Sequence, residues 1–151
     1  MKYTFQLNVL ATLFALSLPL ASLSSNAADM AATQVTAAHE RVVFQVSDAG
    51  PGKWNLTLNN AKNVQDAIGK ENVDIEIVAF GPGIEMLKLE SEMGTKIDKA
   101  LADGIKIMAC ENTMKNMKLT KANMLPPIGY VPSGVVELMR KQKEGWSYIR
   151  P

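Results

Sequence analysis

The sequence predicts an α/β domain of the three-layer α/β/α kind, and three observations carry that prediction. Five short apolar or β-branched segments, near residues 41–47, 73–80, 105–110, 128–132 and 146–150, are separated by stretches with helical apolar spacing. Strands that alternate with helices pair in parallel, because each crossover must return over the sheet, and it does so right-handedly. The chain of 151 residues, once an N-terminal apolar segment is set aside, is the size of one domain with one core.

The first strand is "RVVFQVS" (41–47), β-branched and apolar. Asp48 and Pro51 then mark a helix start. Trp54, Leu58, Ala61, Val64 and Ile68 follow at spacings of 4, 3, 3 and 4, which line one helical face, and Gly69 is placed to end the helix in a left-handed conformation. In "VDIEIVAF" (73–80), Val73, Ile75, Ile77 and Ala79 alternate with Asp74 and Glu76 before the run becomes apolar, giving the second strand. Gly81, Pro82 and Gly83 stop it. Met86, Leu89, Met93, Ile97, Ala100 and Leu101 predict a helix with Gly94 as a kink and Gly104 as its end, and "IKIMAC" (105–110) is the third strand. Residues 111–125 are expected to hold a short helix and a turn. "IGYVP" (128–132) is the fourth strand. Ser133 can cap a last helix through about Lys143, with Arg140, Lys141 and Lys143 near its negative end and Gly145 as the stop; "WSYIR" (146–150) closes the fold. There is no internal repeat.

Residues 1–27 read as a cleaved secretory signal. Lys2 gives a positive start, Val9 to Leu23 is almost wholly apolar or small, and Ser25 and Ala27 are the small residues a signal peptidase requires. The apolar run is short for a bilayer span of roughly 20 residues, so a retained anchor is the competing reading. Residues 28–40 form a flexible leader and 41–151 the single domain. The expected location is periplasmic or secreted, with no membrane association after cleavage. Of 16 Lys and Arg and 15 Asp and Glu, the signal removes only Lys2, so the remaining chain is formally neutral. That balance, with no basic cluster, argues against a nucleic-acid partner.

Parallel α/β sheets present functional loops at the carboxyl ends of their strands. That edge carries residues 48–53, Gly81, Pro82, Gly83, Cys110, Glu111, Asn112, Pro132, Ser133 and Gly134, and these turns form the expected pocket rim. Cys110 is the single cysteine, so no internal disulfide is possible. At a strand end before a helix, free N–H groups favour the thiolate, whereas the Glu111 carboxylate opposes it. Position alone leaves two readings open: a nucleophile, or a small hydrophobe closing the strand.

Ser133 and Gly134 at a helix start offer backbone N–H groups to an anion. Met114, Met117 and Met124 near Cys110 give an alternative as soft ligands to a cuprous ion, although methionines at helical spacing are usually core; no resident metal or cofactor is expected. His39 has no partner at ligand spacing and reads as solvated. The sequon Asn55-Leu56-Thr57 falls within a predicted helix and is discounted.

Taken in order, "AFGPGI", "ACENTM" and "GYVPSG", with "EGWSYIRP" at the end, resemble the DsrE/DsrF-like family, in particular its small exported members, over residues 41–151. The resemblance implies a five-stranded parallel sheet of order 4-3-2-1-5 and trimers or hexamers. In that order the loops at Gly81, Cys110 and Pro132 become neighbours. In the family's cytoplasmic sulfur-relay proteins, a cysteine similar in position to Cys110 accepts sulfur as a persulfide and passes it on. Only Cys110 maps to such a role, and the chain departs from those proteins in its signal segment and in "ENTMKNMK" after the cysteine.

The expectation is therefore a periplasmic sulfur- or thiol-handling protein, a sulfurtransferase-like carrier that holds a persulfide or mixed disulfide on Cys110 and meets a sulfur donor or acceptor protein. The alternatives are a non-catalytic oligomeric binding module using the pocket rim, and cuprous-ion binding.

Overall fold

The protein is described here by a computed structural model covering residues 39–151. The expected signal, 1–27, and the leader up to residue 38 lie outside the described residues. Five strands, β1 (Glu40–Val46), β2 (Val73–Ala79), β3 (Lys106–Cys110), β4 (Gly129–Val131) and β5 (Ser147–Ile149), form one parallel sheet in the order β4-β3-β2-β1-β5. This is the expected architecture and strand order. His39, before β1, is half-exposed, with Nε2 3.2 Å from a carboxylate oxygen of Asp74.

Alternation along the strands divides the core in two. Val42, Phe44, Ile75, Ile77, Ile107 and Ala109 face one side, under α1 (Pro51–Ile68) and α2 (Gly94–Ala102). Val43, Val78 and Val131 face the other, where α4 (Gly134–Lys143) brings Leu138, and Trp146 follows it. Among the described residues, no helix is long and apolar enough to cross a membrane.

On α1, Trp54, Leu58 and Ala61 are buried as their spacing predicts, but Ile68 is exposed. Gln65 is buried instead, since its amide donates to the carbonyl of Asp103 at 3.0 Å and satisfies the turn after α2. Gly69 takes a positive φ of 95°, as expected, with ψ at 133° rather than in the left-handed helical well. Asn55 is within α1, and the Thr57 hydroxyl donates to the Lys53 carbonyl at 2.9 Å.

The continuous helix expected from Met86 to Leu101 does not form. Residues Gly81–Leu87 make a 3-10 turn, and α2 begins only at Gly94, which starts the helix rather than kinking it. The cause is a backbone pairing from outside the segment. The N–H of Leu89 donates to the Asn123 carbonyl at 3.0 Å, and that of Leu125 to the Leu87 carbonyl at 2.9 Å, around an antiparallel bridge between Lys88 and Met124. Ile84, Met86 and Leu87 are fully buried, so their spacing reflects a folded turn pressed on the core.

A charged pair is also buried. Glu76, which alternates with the apolar positions of β2, is only 3 % exposed because α4 covers that face. Lys141, expected to sit near the negative end of α4, turns beneath the helix. Its ammonium lies 2.8 Å from Glu76 and 3.7 Å from Glu137, and 4.1 Å from the centre of the Trp146 ring. The paired charges make this burial tolerable.

Candidate functional site

The strand order makes β2, β3 and β4 neighbours, so the turns that leave their carboxyl ends meet. Cys110 is the last residue of β3 and the N-cap of α3 (Glu111–Asn116). Backbone hydrogen bonds join the three turns. The N–H of Gly134, from the β4–α4 turn, donates to Cys110 Sγ at 3.2 Å. The N–H of Gly81, from the turn after β2, donates to Thr113 Oγ1 at 3.0 Å, and that of Asn112 to the Pro132 carbonyl at 3.2 Å.

Close packing explains the glycines. A Cβ on Gly134 would stand 3.0 Å from the Phe80 ring, so a side chain there would push the N-terminus of α4 away from the sulfur. A Cβ on Gly83 would lie 2.3 Å from the Val46 carbonyl oxygen, a contact no rotamer relieves. Gly81 has a φ of 53°, which turns its N–H inward to Thr113.

Cys110 is 4 % exposed. Burial pushes its pKa up, but hydrogen bonds from the Thr113 hydroxyl and from the N–H groups of Gly134, Thr113 and Asn112 outweigh it and hold the thiol below its ordinary value. Of these donors the Gly134 N–H, 3.2 Å from Sγ, is the firmest, since the Asn112 N–H is engaged by the Pro132 carbonyl. Because the Thr113 oxygen already accepts from Gly81, its proton is free to point at sulfur.

Thr113 has no place among the residues singled out from the sequence. It stands three positions after the N-cap, where a side chain returns to the cap residue, and that spacing was the available signal. The expected rim residues divide. Gly81, Asn112, Pro132 and Gly134 contribute backbone groups around the sulfur or to the bonds that join its turns. Pro82 is exposed, and Gly83 is buried against Val46. Ser133 is the N-cap of α4 by position, yet its hydroxyl makes no capping bond; the donor to sulfur is Gly134. The Glu111 side chain is exposed at the start of α3.

Beside the thiol lies a cavity of about 490 Å³ lined by Gly81, Pro82, Glu85, Thr113, Asn116 and Met117. Cys110 itself does not line it, whereas Thr113, in the first turn of the helix that Cys110 caps, does. Met114 and Met124 are packed in the main core, and among the described residues no group of three or more His, Cys, Asp or Glu side chains is placed to hold a metal. A smaller cleft of about 220 Å³ between α1 and α2 is lined by other residues, Lys62, Lys96 and Lys99 among them.

A sequence profile of the DsrE/DsrF-like family matches residues 40–151. The chain belongs to that family. Membership makes this DsrE/DsrF-like protein sulfur-relay-related at the level of the family. Among solved structures, it is similar to the protein of unknown function MTH1491 from Methanobacterium thermoautotrophicum, with 32 % identity and a TM-score of 0.71, over 74 % of this chain and 99 % of that one. It also shares its fold with the conserved protein of unknown function BT1422 from Bacteroides thetaiotaomicron, at 18 % identity and a TM-score of 0.63, over 77 % and 98 % of the two chains. The ychN protein from E. coli has that fold too, at 9 % identity and a TM-score of 0.59, over 74 % of this chain and 99 % of its own. No curated protein matches the chain.

Proposed function

We propose that this DsrE/DsrF-like protein is exported to the periplasm and carries sulfur or a thiol on Cys110, as a persulfide or mixed disulfide exchanged with a donor or acceptor protein. The observation that carries the reading is the α4 backbone N–H of Gly134 aimed at Cys110 Sγ, set beside α3 groups that hold the thiol below its ordinary value. A thiol that merely closes a strand needs no such set, whereas a thiolate is stabilised by each donor and becomes the attacking species. The signal-like residues 1–27 support export.

Mass spectrometry after exposure to polysulfide tests the proposal. One added sulfur atom on Cys110, removable by reductant and absent in Cys110→Ser, is the expected result; an unmodified thiol under the same treatment contradicts it.

Self-association is part of the proposal. On α4, Val135, Val136 and Met139 are 52, 59 and 52 % exposed, an apolar strip facing away from the sheet. That strip suits packing against a second copy in the trimers or hexamers that the family resemblance implies.

The burial of Cys110 favours a second reading, a non-catalytic binding module. It predicts ligand or partner binding unchanged in Cys110→Ser.

A further inference from the structure

Building on the reading of Cys110 as a sulfur-handling thiol, we propose that Glu85 selects the charge of the donor, so that the site accepts neutral or cationic persulfides and disulfides and discriminates against anionic ones. The cavity at the first turn of α3 is where this acts. Thr113 lines that cavity and sits in the first turn of α3, the helix that Cys110 caps, so a donor held there is close to the thiol. Among the described residues that line the cavity, Glu85 alone is ionisable.

The charge of Glu85 is not cancelled by its partner. Lys88 lies 3.0 Å from Glu85 and 2.7 Å from Glu90, so one ammonium serves two carboxylates and the cluster keeps a net negative charge. A neighbouring cavity of about 360 Å³ shares Glu85 and adds Glu90 and Glu92 to its wall. Among the described residues, no Lys, Arg or His lines either cavity. Lys115 and Lys118, which flank Asn116 and Met117 in the sequence, are exposed and line neither.

The reaction adds to this field. The Cys110 thiolate attacks the outer sulfur of a persulfide R–S–SH. The donor's S–S bond breaks with its electron pair on R–S⁻, and Cys110–S–SH forms. With a symmetrical disulfide the same displacement gives Cys110–S–S–R and R–S⁻, and neither step needs an outside oxidant. An anionic R group meets both the thiolate and Glu85, whereas a cationic one is attracted by both. The substrate class is thus a persulfide whose carrier is uncharged or basic near its sulfur.

Three small disulfides of similar size test this on the full mature protein: cystamine with two ammonium groups, uncharged 2-hydroxyethyl disulfide, and dithiodiglycolate with two carboxylates. The rate of mixed-disulfide formation at Cys110, read by intact mass, is divided by the rate for the same chain unfolded, which removes each reagent's own reactivity. Cystamine is expected to exceed dithiodiglycolate by about 10-fold or more. Glu85→Gln should shrink that ratio several-fold and Glu85→Lys invert it, with the rate of the uncharged disulfide changed less than about twofold, since no charge acts on it. A ratio near one in the native protein, or one that neither substitution moves, overturns the inference and leaves the thiol reading standing. Failure of all three reagents to label the native protein, when the unfolded chain labels, overturns both.

Discussion

The backbone N–H of Gly134 donates to Cys110 Sγ across 3.2 Å, so the first residue of α4 is tied to the last residue of β3. The contact exists because glycine lets α4 start against Phe80. Gly134→Ala would place a methyl 3.0 Å from that ring. Displacing the helix should cost about 1–3 kcal/mol of stability and slow thiol labelling, measured by urea denaturation and reagent kinetics on the same sample. A fully stable variant with unchanged labelling would show that this approach is not tight.

Thr113 is a positioning residue for the thiol. Thr113→Val keeps the shape and removes the hydroxyl, so the pKa of Cys110 should rise toward its ordinary value and labelling near neutral pH should slow several-fold. Thr113→Ser should restore both. A pH profile of labelling separates this from a structural role, which would change the rate equally at every pH.

Gly83 and Gly52 make a contrasting pair. Alanine at Gly83 would meet the Val46 carbonyl oxygen at 2.3 Å, backbone against backbone, while a Cβ at Gly52 meets nothing within 4 Å. Gly83→Ala should lose about 3 kcal/mol or more. Gly52→Ala, within α1, should be neutral or stabilising by up to about 1 kcal/mol. Thermal denaturation of the two variants distinguishes them directly.

The buried pair of β2 and α4 gives the fold a pH dependence. Burial raises the pKa of Glu76, and the neighbouring Glu137 adds to that rise against the opposing pull of Lys141. A carboxyl whose folded pKa lies above its unfolded value binds its proton more tightly in the fold. Its contribution is fully present below the unfolded value and is lost as pH rises through the folded one. Lys141→Met leaves the carboxylate of Glu76 without its cation, so it should cost about 3–5 kcal/mol at pH 8 and less at pH 5. An equal loss at both pH values would contradict this account of Glu76.

The apolar strip on α4 predicts self-association. Val136→Lys should shift the protein toward smaller species in sedimentation velocity without lowering its stability, since Val136 is exposed. Unchanged sedimentation would remove this face from any interface.

Strand order, the helical faces and the meeting of three turns at Cys110 were legible in the sequence because periodicity and turn residues report local geometry, and the family resemblance supplied the order. What was hidden depends on contacts between segments distant in sequence. The apolar spacing from Met86 to Leu101 looks helical, and only the pairing of Lys88 with Met124 breaks it. The pairing of Glu76 with Lys141 appears only once α4 is laid over β2. Thr113 lay in plain view three residues after the cysteine, but its role requires Gly81 to occupy the acceptor side of its hydroxyl.

The central claim is that Cys110, although only 4 % exposed, reacts in the native protein as a readily ionised thiol, and titration of its labelling rate against pH tests that most directly. The account predicts labelling without denaturation and an apparent pKa below that of the same cysteine in the unfolded chain, about 8.5. No labelling until the protein unfolds, or a native pKa at or above the unfolded one, would contradict it.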